Sequence, residues 1–133
     1  MDRETAVEVI NQYFRSWVEK DFNLFVGSIH EEAIVRECTG EVIQGRDELN
    51  RWFKQWNGSD NEVMYWDIHN IGFDYEQMTA FVEWKFKCKY KGTTYEWDGT
   101  SIVYFENSLI IELNEYEMKK DKSYPYKQDS VAI

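Results

Sequence analysis

The stretch HEEAIVRECTGEVIQG, His30 to Gly45, sets an arginine, a glutamate and a thiol side by side at Arg36, Glu37 and Cys38. The run leading into them reads as a strand, so Ala33, Val35 and Glu37 share one face while Ile34, Arg36 and Cys38 share the other. A carboxylate that closes an apolar strand face can act as a base or as an acceptor for a ligand. The plainer alternative is a glutamate in solvent, or one paired with Arg36. Other groups with chemical potential are scattered. Asp67 and His69 share a face and could form a dyad, but exposure to solvent is the better reading of them. His30 falls at a helix end, where the C-terminal dipole favours its cation. Glu115, on the face of Ile111 and Leu113, is a second candidate acid. Cys38 and Cys88 lack metal-ligand spacing and read as small buried hydrophobes. No phosphate loop or nucleophile elbow occurs, and neither a metal nor a cofactor is expected.

Three helices and a sheet must position these groups. Asp2 can cap a helix in which Val7, Ile10, Phe14, Trp17 and Val18 recur at helical spacing, with Tyr13 at the margin of the stripe. Asp21 can cap a second, short helix with Phe22, Phe25, Val26 and Ile29 on one side. The strand that carries Glu37 follows, then a turn around Thr39-Gly40 and a brief extended return through Val42 and Ile43. In a third helix, RDELNRWFKQWNG, Leu49, Trp52, Phe53 and Trp56 form one face, and Asn57-Gly58 is a stop signal. From Glu62 onward the hydrophobic period becomes two, and strands are expected over residues 62–73, 78–90, 93–106 and 109–118.

The middle pair of strands can be registered from the sequence. A two-residue turn at Lys91-Gly92 pairs Tyr90 with Thr93. Counting outward, Cys88, Phe86, Trp84, Val82 and Ala80 then oppose Tyr95, Trp97, Gly99, Ser101 and Val103 on one face. On the other face Lys87 opposes Glu96 and Lys85 opposes Asp98. Apolar groups meet on one side, opposite charges meet on the other, and a large tryptophan lies over a glycine. The outer face also sets Phe81 against Ile102 with Tyr104 nearby, an apolar patch that a partner could cover. The expected class is α+β, with three N-terminal helices packed on a curved, mostly antiparallel sheet.

Composition limits what such a domain can do. A chain of 133 residues fits one domain, taken as residues 1–118 with a polar tail at 119–133, and can bury a sizeable core. The net charge of -10 disfavours nucleic acid and anionic membranes, since phosphate backbones are bound through lysine and arginine. The first residues carry acids where a secretory leader needs bases, and no run has the length of a membrane span, so a cytoplasmic protein with reduced cysteines is expected. Aromatic residues make up 17% of the chain, which is more than packing alone ordinarily uses.

The segments YFRSWVEKDFNLFVGSIHEEAIVRE, VIQGRDELNRWF and WDGTSIVYFENSLIIELNEYE resemble the opening helices and first strand, the third helix and the closing strands of SnoaL-like and ketosteroid-isomerase-like proteins of the nuclear transport factor 2-like superfamily. The tail SYPY is similar to a C-terminal signature of bacterial members. The resemblance implies a cone-shaped fold whose cavity is lined by the inner sheet face, here Trp84, Phe86, Trp97 and Ser101, joined by Trp56 and Tyr13 from the helices. It implies a tyrosine hydrogen-bond donor at Tyr13 and a carboxylate proton shuttle at Glu37, with Arg36 and Cys38 turned away. Among aromatic side chains such a carboxylate would lose solvation, and its pKa would rise toward the range of a useful base. The second acid of ketosteroid isomerases has no match, because the register places Ser101 inward and Asp98 outward. The function implied is cofactor-free isomerisation, cyclisation or dehydration of a small apolar or aromatic carbonyl-bearing ligand. A non-catalytic ligand-binding or dimerising module of the same fold is the alternative. The resemblance also implies a homodimer through the outer sheet face.

Overall fold

A computed structural model of the chain describes residues 1–127. The elements follow in the order α1 (Arg3–Glu19), α2 (Phe22–Ser28), β1 (Ile29–Arg36), β2 (Val42–Gln44), α3 (Gly45–Gly58), β3 (Glu62–Asp74), β4 (Thr79–Tyr90), β5 (Thr93–Glu106) and β6 (Leu109–Met118). Three helices pack on a six-stranded mixed sheet of order β2-β1-β6-β5-β4-β3. All neighbours are antiparallel except β1 and β6, which are parallel. Residues 119–127 contain only bends and a turn, and the rest of the expected tail, 128–133, lies outside the described residues. No helix among the described residues is long and apolar enough to cross a membrane.

Both caps form as their residue types require. Thr5 N donates to Asp2 Oδ1 at 2.8 Å, and Leu24 N donates to Asp21 Oδ1 at 3.1 Å, each satisfying an otherwise open helix-start amide. The buried face of α1 is Ala6, Ile10, Tyr13, Phe14 and Trp17. Tyr13 therefore lies at the centre of that stripe and not at its margin, 1% exposed, whereas Val18 is 39% exposed. Val26 is likewise exposed, and Ile29 opens β1 instead of closing α2. The three-residue β2 pairs back onto β1, setting Val35 beside Ile43.

The hairpin of β4 and β5 has the register read from the sequence, from Tyr90 beside Thr93 to Thr79 beside Tyr104. Lys91 and Gly92 both take positive φ, 50° and 83°, which matches the right-handed twist of the flanking strands. Trp84 lies across from Gly99, and a Cβ on that glycine would come within 2.5 Å of both Trp84 Cη2 and the Tyr116 carbonyl oxygen. On the outer face Lys85 stands opposite Asp98, but its ion pair runs diagonally to Glu96 at 3.6 Å, and Glu96 also accepts from the Tyr65 hydroxyl at 2.6 Å. A register shift between Tyr104 and Phe105 puts Ile110, 1% exposed, into the core in place of Ile111.

The core forms between the helices and the inner sheet face. Phe14 stacks on Trp66 with centroids 4.0 Å apart, and Phe25 stacks on Phe53 at 4.5 Å, joining α1 to β3 and α2 to α3.

Candidate functional site

The strand β1 ends one residue before Glu37. There the chain closes a tight turn in which Glu37 N donates to the Glu41 carbonyl and Gly40 N donates to the Glu37 carbonyl, both at 2.9 Å. Gly40 adopts φ 99°, a left-handed conformation that few other residues accept. Arg36, still on the strand, points outward to Asn114 Oδ1 at 2.9 Å and to Glu112 at 3.2 Å. Past it the alternation stops, so Glu37 and Cys38 both line the inner cavity. Cys38 was expected on the outer face. The turn overrides the two-residue period that placed it there.

That cavity holds about 380 Å³, and its lining includes the exposed Thr39 and Glu41 of the β1–β2 turn. All six tryptophans of the chain line it: Trp17 from α1, Trp52 and Trp56 from α3, Trp66 from β3, Trp84 from β4 and Trp97 from β5. Tyr13 and Phe86 complete the set of aromatic residues placed there from the sequence. Ser101 does not line it. The serine is fully buried behind the tryptophan, and its Oγ accepts the Trp84 indole N–H at 2.9 Å, so its place is to hold that ring. Asn61 does similar work at the hairpin turn: it donates to the Trp56 carbonyl at 3.1 Å and accepts from Lys91 N at 3.0 Å, tying α3 to that turn. Trp56 and Tyr90 stack beside this clamp.

Three carboxyls border the cavity: Glu37, Glu41 and Glu115. Glu115 arrives through the sheet. Parallel pairing sets Arg36 beside Asn114, so the next residues of each strand, Glu37 and Glu115, come level. Burial pushes Glu37 up to about 7, and the charge and hydrogen bond of Glu41 add to the rise. Burial likewise pushes Glu115 up to about 8, aided by repulsion from Glu37 and opposed by the Cys38 backbone amide. Tyr13 is held well above the ordinary phenol range, first by burial and then by the charges of Glu115 and Glu37, so its hydroxyl stays protonated at neutral pH. The thiols of Cys38 and Cys88 are raised to about 12 and about 11, chiefly by burial, which keeps them protonated and poorly nucleophilic. The arrangement offers two carboxyls whose neutral forms are favoured by burial, Glu115 more than Glu37, and a neutral phenol.

Sequence reasoning had placed Trp17, Trp52 and Trp66 only in the core or not at all. Trp66 could have been found, because it lies opposite Phe86 once β3 is registered on β4. His30, Asp67 and His69 stand apart from this site. His30 Nδ1 accepts from Glu32 N at 3.0 Å and its Nε2 lies 3.4 Å from Glu106, while Asp67 and His69 are exposed. No three His, Cys, Asp or Glu side chains among the described residues converge as a metal set.

An open-ended pocket between three helices and one sheet face, apolar in its walls and acidic at one side, is the architecture of a small-molecule-binding domain. Residues 10–113 match the family model of the SnoaL-like domain, and the chain belongs to that family. Its fold is shared by an LEH-like epoxide hydrolase of M. tuberculosis, 12% identical with a TM-score of 0.76, the match covering 86% of this chain and 84% of that one. It is shared by a protein with ketosteroid isomerase-like fold from Catenulispora acidiphila, solved in complex with trimethylamine, at 13% identity and TM-score 0.70 over 82% and 84% of the two chains. A candidate polyketide cyclase of Pseudomonas putida is 19% identical, with a TM-score of 0.73 over 87% and 93%. No curated protein matches the chain by sequence.

Proposed function

We propose that this protein is a cofactor-free acid–base catalyst acting on a small ligand with an apolar body and an enolisable carbonyl. The carrying observation is that Glu37 and Glu115 line one cavity walled by tryptophan. In this reading Glu37, the more acidic of the two, abstracts a proton from carbon next to the carbonyl. Glu115 and Tyr13, both protonated, donate hydrogen bonds to the oxygen as negative charge develops on it. A neutral carboxylic acid in an apolar site is a strong donor of this kind. Trp56, Trp84, Phe86 and Trp97 bind the body of the ligand, and Ser101 positions Trp84. The free thiols Cys38 and Cys88 fit a reducing, cytoplasmic setting.

The test is hydrogen–deuterium exchange at the α-carbon of a panel of cyclic ketones and β-keto esters in deuterated buffer, followed by NMR. Wild-type protein should exchange at least one ketone with a bell-shaped pH dependence, rising as Glu37 ionises near 7 and falling as Glu115 ionises near 8. Glu37→Gln should lose on the order of 100-fold or more. Ligands that bind without any exchange in the panel would reduce the protein to a binding module. We further propose a homodimer through the outer sheet face, where Phe81 is 45% exposed beside Ile102 and Tyr104. Sedimentation across micromolar concentrations should show the dimer, and a monomer throughout would end that idea.

A further inference from the structure

The charge of the cavity wall goes beyond what a neutral ketone needs. Carboxyls reach it from two directions, Glu37 and Glu41 from the β1–β2 turn and Glu115 from β6, and no lysine, arginine or histidine lines it among the described residues. The remaining titratable groups that face it are the thiols Cys38 and Cys88 and the phenols Tyr13, Tyr90 and Tyr95, none of which supplies positive charge. The six tryptophans line the same cavity as the acids. Indole faces attract cations through the ring quadrupole, and several rings around one site with carboxylates nearby form an aromatic cage. An anion would meet repulsion from the acids, and a neutral body would leave them without a countercharge.

We propose that the ligand of this cavity is an organic cation, an alkylated or protonated amine of up to about ten heavy atoms carried on an apolar body. This rests on the reading of the cavity as a ligand pocket and narrows what enters it. A cation seated on the tryptophans supplies the acidic wall with the positive charge that the rest of the lining lacks. It also favours the ionised form of Glu37, so binding releases a proton and tightens as pH rises through the range in which Glu37 titrates. The same ionisation would ready Glu37 as a base. The overall charge of -10 draws cations toward the molecule over longer range.

The experiment titrates tryptophan fluorescence with choline and with 3,3-dimethyl-1-butanol, its uncharged carbon isostere, at constant ionic strength. At pH 8.5 choline should bind at least about 10-fold more tightly than the isostere. That preference should shrink by about 5-fold or more at pH 6, where both carboxyls are protonated. The isostere should show no pH dependence. In the double variant Glu37→Gln, Glu115→Gln the preference should fall to its pH 6 value at every pH. Should that variant fail to fold, the wild-type comparison of choline with its isostere still decides. Equal binding, or tighter binding of the neutral compound, overturns the cation proposal and leaves the pocket standing. Failure of both compounds overturns it too, and the pocket reading falls with it only if the ketone panel also leaves tryptophan fluorescence unchanged.

Discussion

The two ends of the β4–β5 hairpin are built from the same alternation and yet do opposite things. Toward Thr79 the inner face carries Ala80, Val82 and Val103, met by Leu113 of β6, and each of these is 0% exposed. Toward Lys91 the same face carries Trp84, Phe86 and Trp97, and the space above them is a cavity of about 380 Å³. Small branched side chains fill the gap to the helices from both sides. Large planar rings anchored on several elements do not tile that gap, and a void is left between them. The open end also holds what the closed end does not need: carboxyls without a countercharge, and the indole N–H groups of Trp66 and Trp97, buried with no acceptor among the described residues. Such groups cost stability, and they gather at one end of the sheet face.

The closed end should be the more sensitive to loss of volume. Leu113→Ala removes a side chain that touches core on every side and should cost about 2–5 kcal/mol in chemical denaturation. A loss below about 1 kcal/mol would mean that the closed end is loosely packed and that the contrast between the ends is false. The boundary between the ends is Gly99. Gly99→Ala would drive a methyl into Trp84 and the Tyr116 carbonyl, and should cost about 1–3 kcal/mol, with a changed tryptophan emission reporting the displaced ring. An unchanged spectrum and stability would show that Trp84 does not depend on the glycine beneath it.

The third prediction concerns charge at the open end. Glu115 has a folded-state pKa of about 8, above the 4.5 of the unfolded chain. The stability contributed by its protonated form is therefore complete below about 4.5 and is lost as pH rises through about 8. Glu115→Gln keeps the neutral shape and removes the titration. It should leave stability unchanged at pH 4.5 and raise it by at least about 1 kcal/mol at pH 8, water in the open cavity screening part of the full effect. A variant less stable than wild type at pH 8 would mean that Glu115 is ionised and paired, and the division into an inert end and a strained end would fail.

Much of the closed end and of the hairpin was legible from the residues alone. Tyr90 to Thr79 could be matched against Thr93 to Tyr104 because only one register puts Lys87 and Lys85 against acids, aromatic residues against each other and Trp84 over Gly99. The caps at Asp2 and Asp21 were legible for a similar reason, since a short acceptor side chain before a helix has one job to do. Less was legible where the chain leaves a regular period. Cys38 is outward only if the alternation is carried two residues past the end of β1, and the turn begins before that. Ser101 was placed in the cavity because parity gives the face of a residue and not its depth. Whether an inward side chain reaches the open space depends on how far its neighbour extends across it, and Trp84 covers Ser101.

By itself, the order of residues determined which segments are helix and strand, how the central hairpin pairs, and that Glu37 ends an apolar face. Those are matters of local conformation and of neighbours a few residues apart, where period, turn chemistry and charge act directly. Only the tertiary structure decided that β1 lies parallel to β6, which brings Glu37 level with Glu115 across 78 residues of chain. No local pattern encodes that pairing. It follows from burying one sheet face under three helices at once, and the burial that makes the pairing favourable is also what raises the two carboxyls into the range where they can exchange protons.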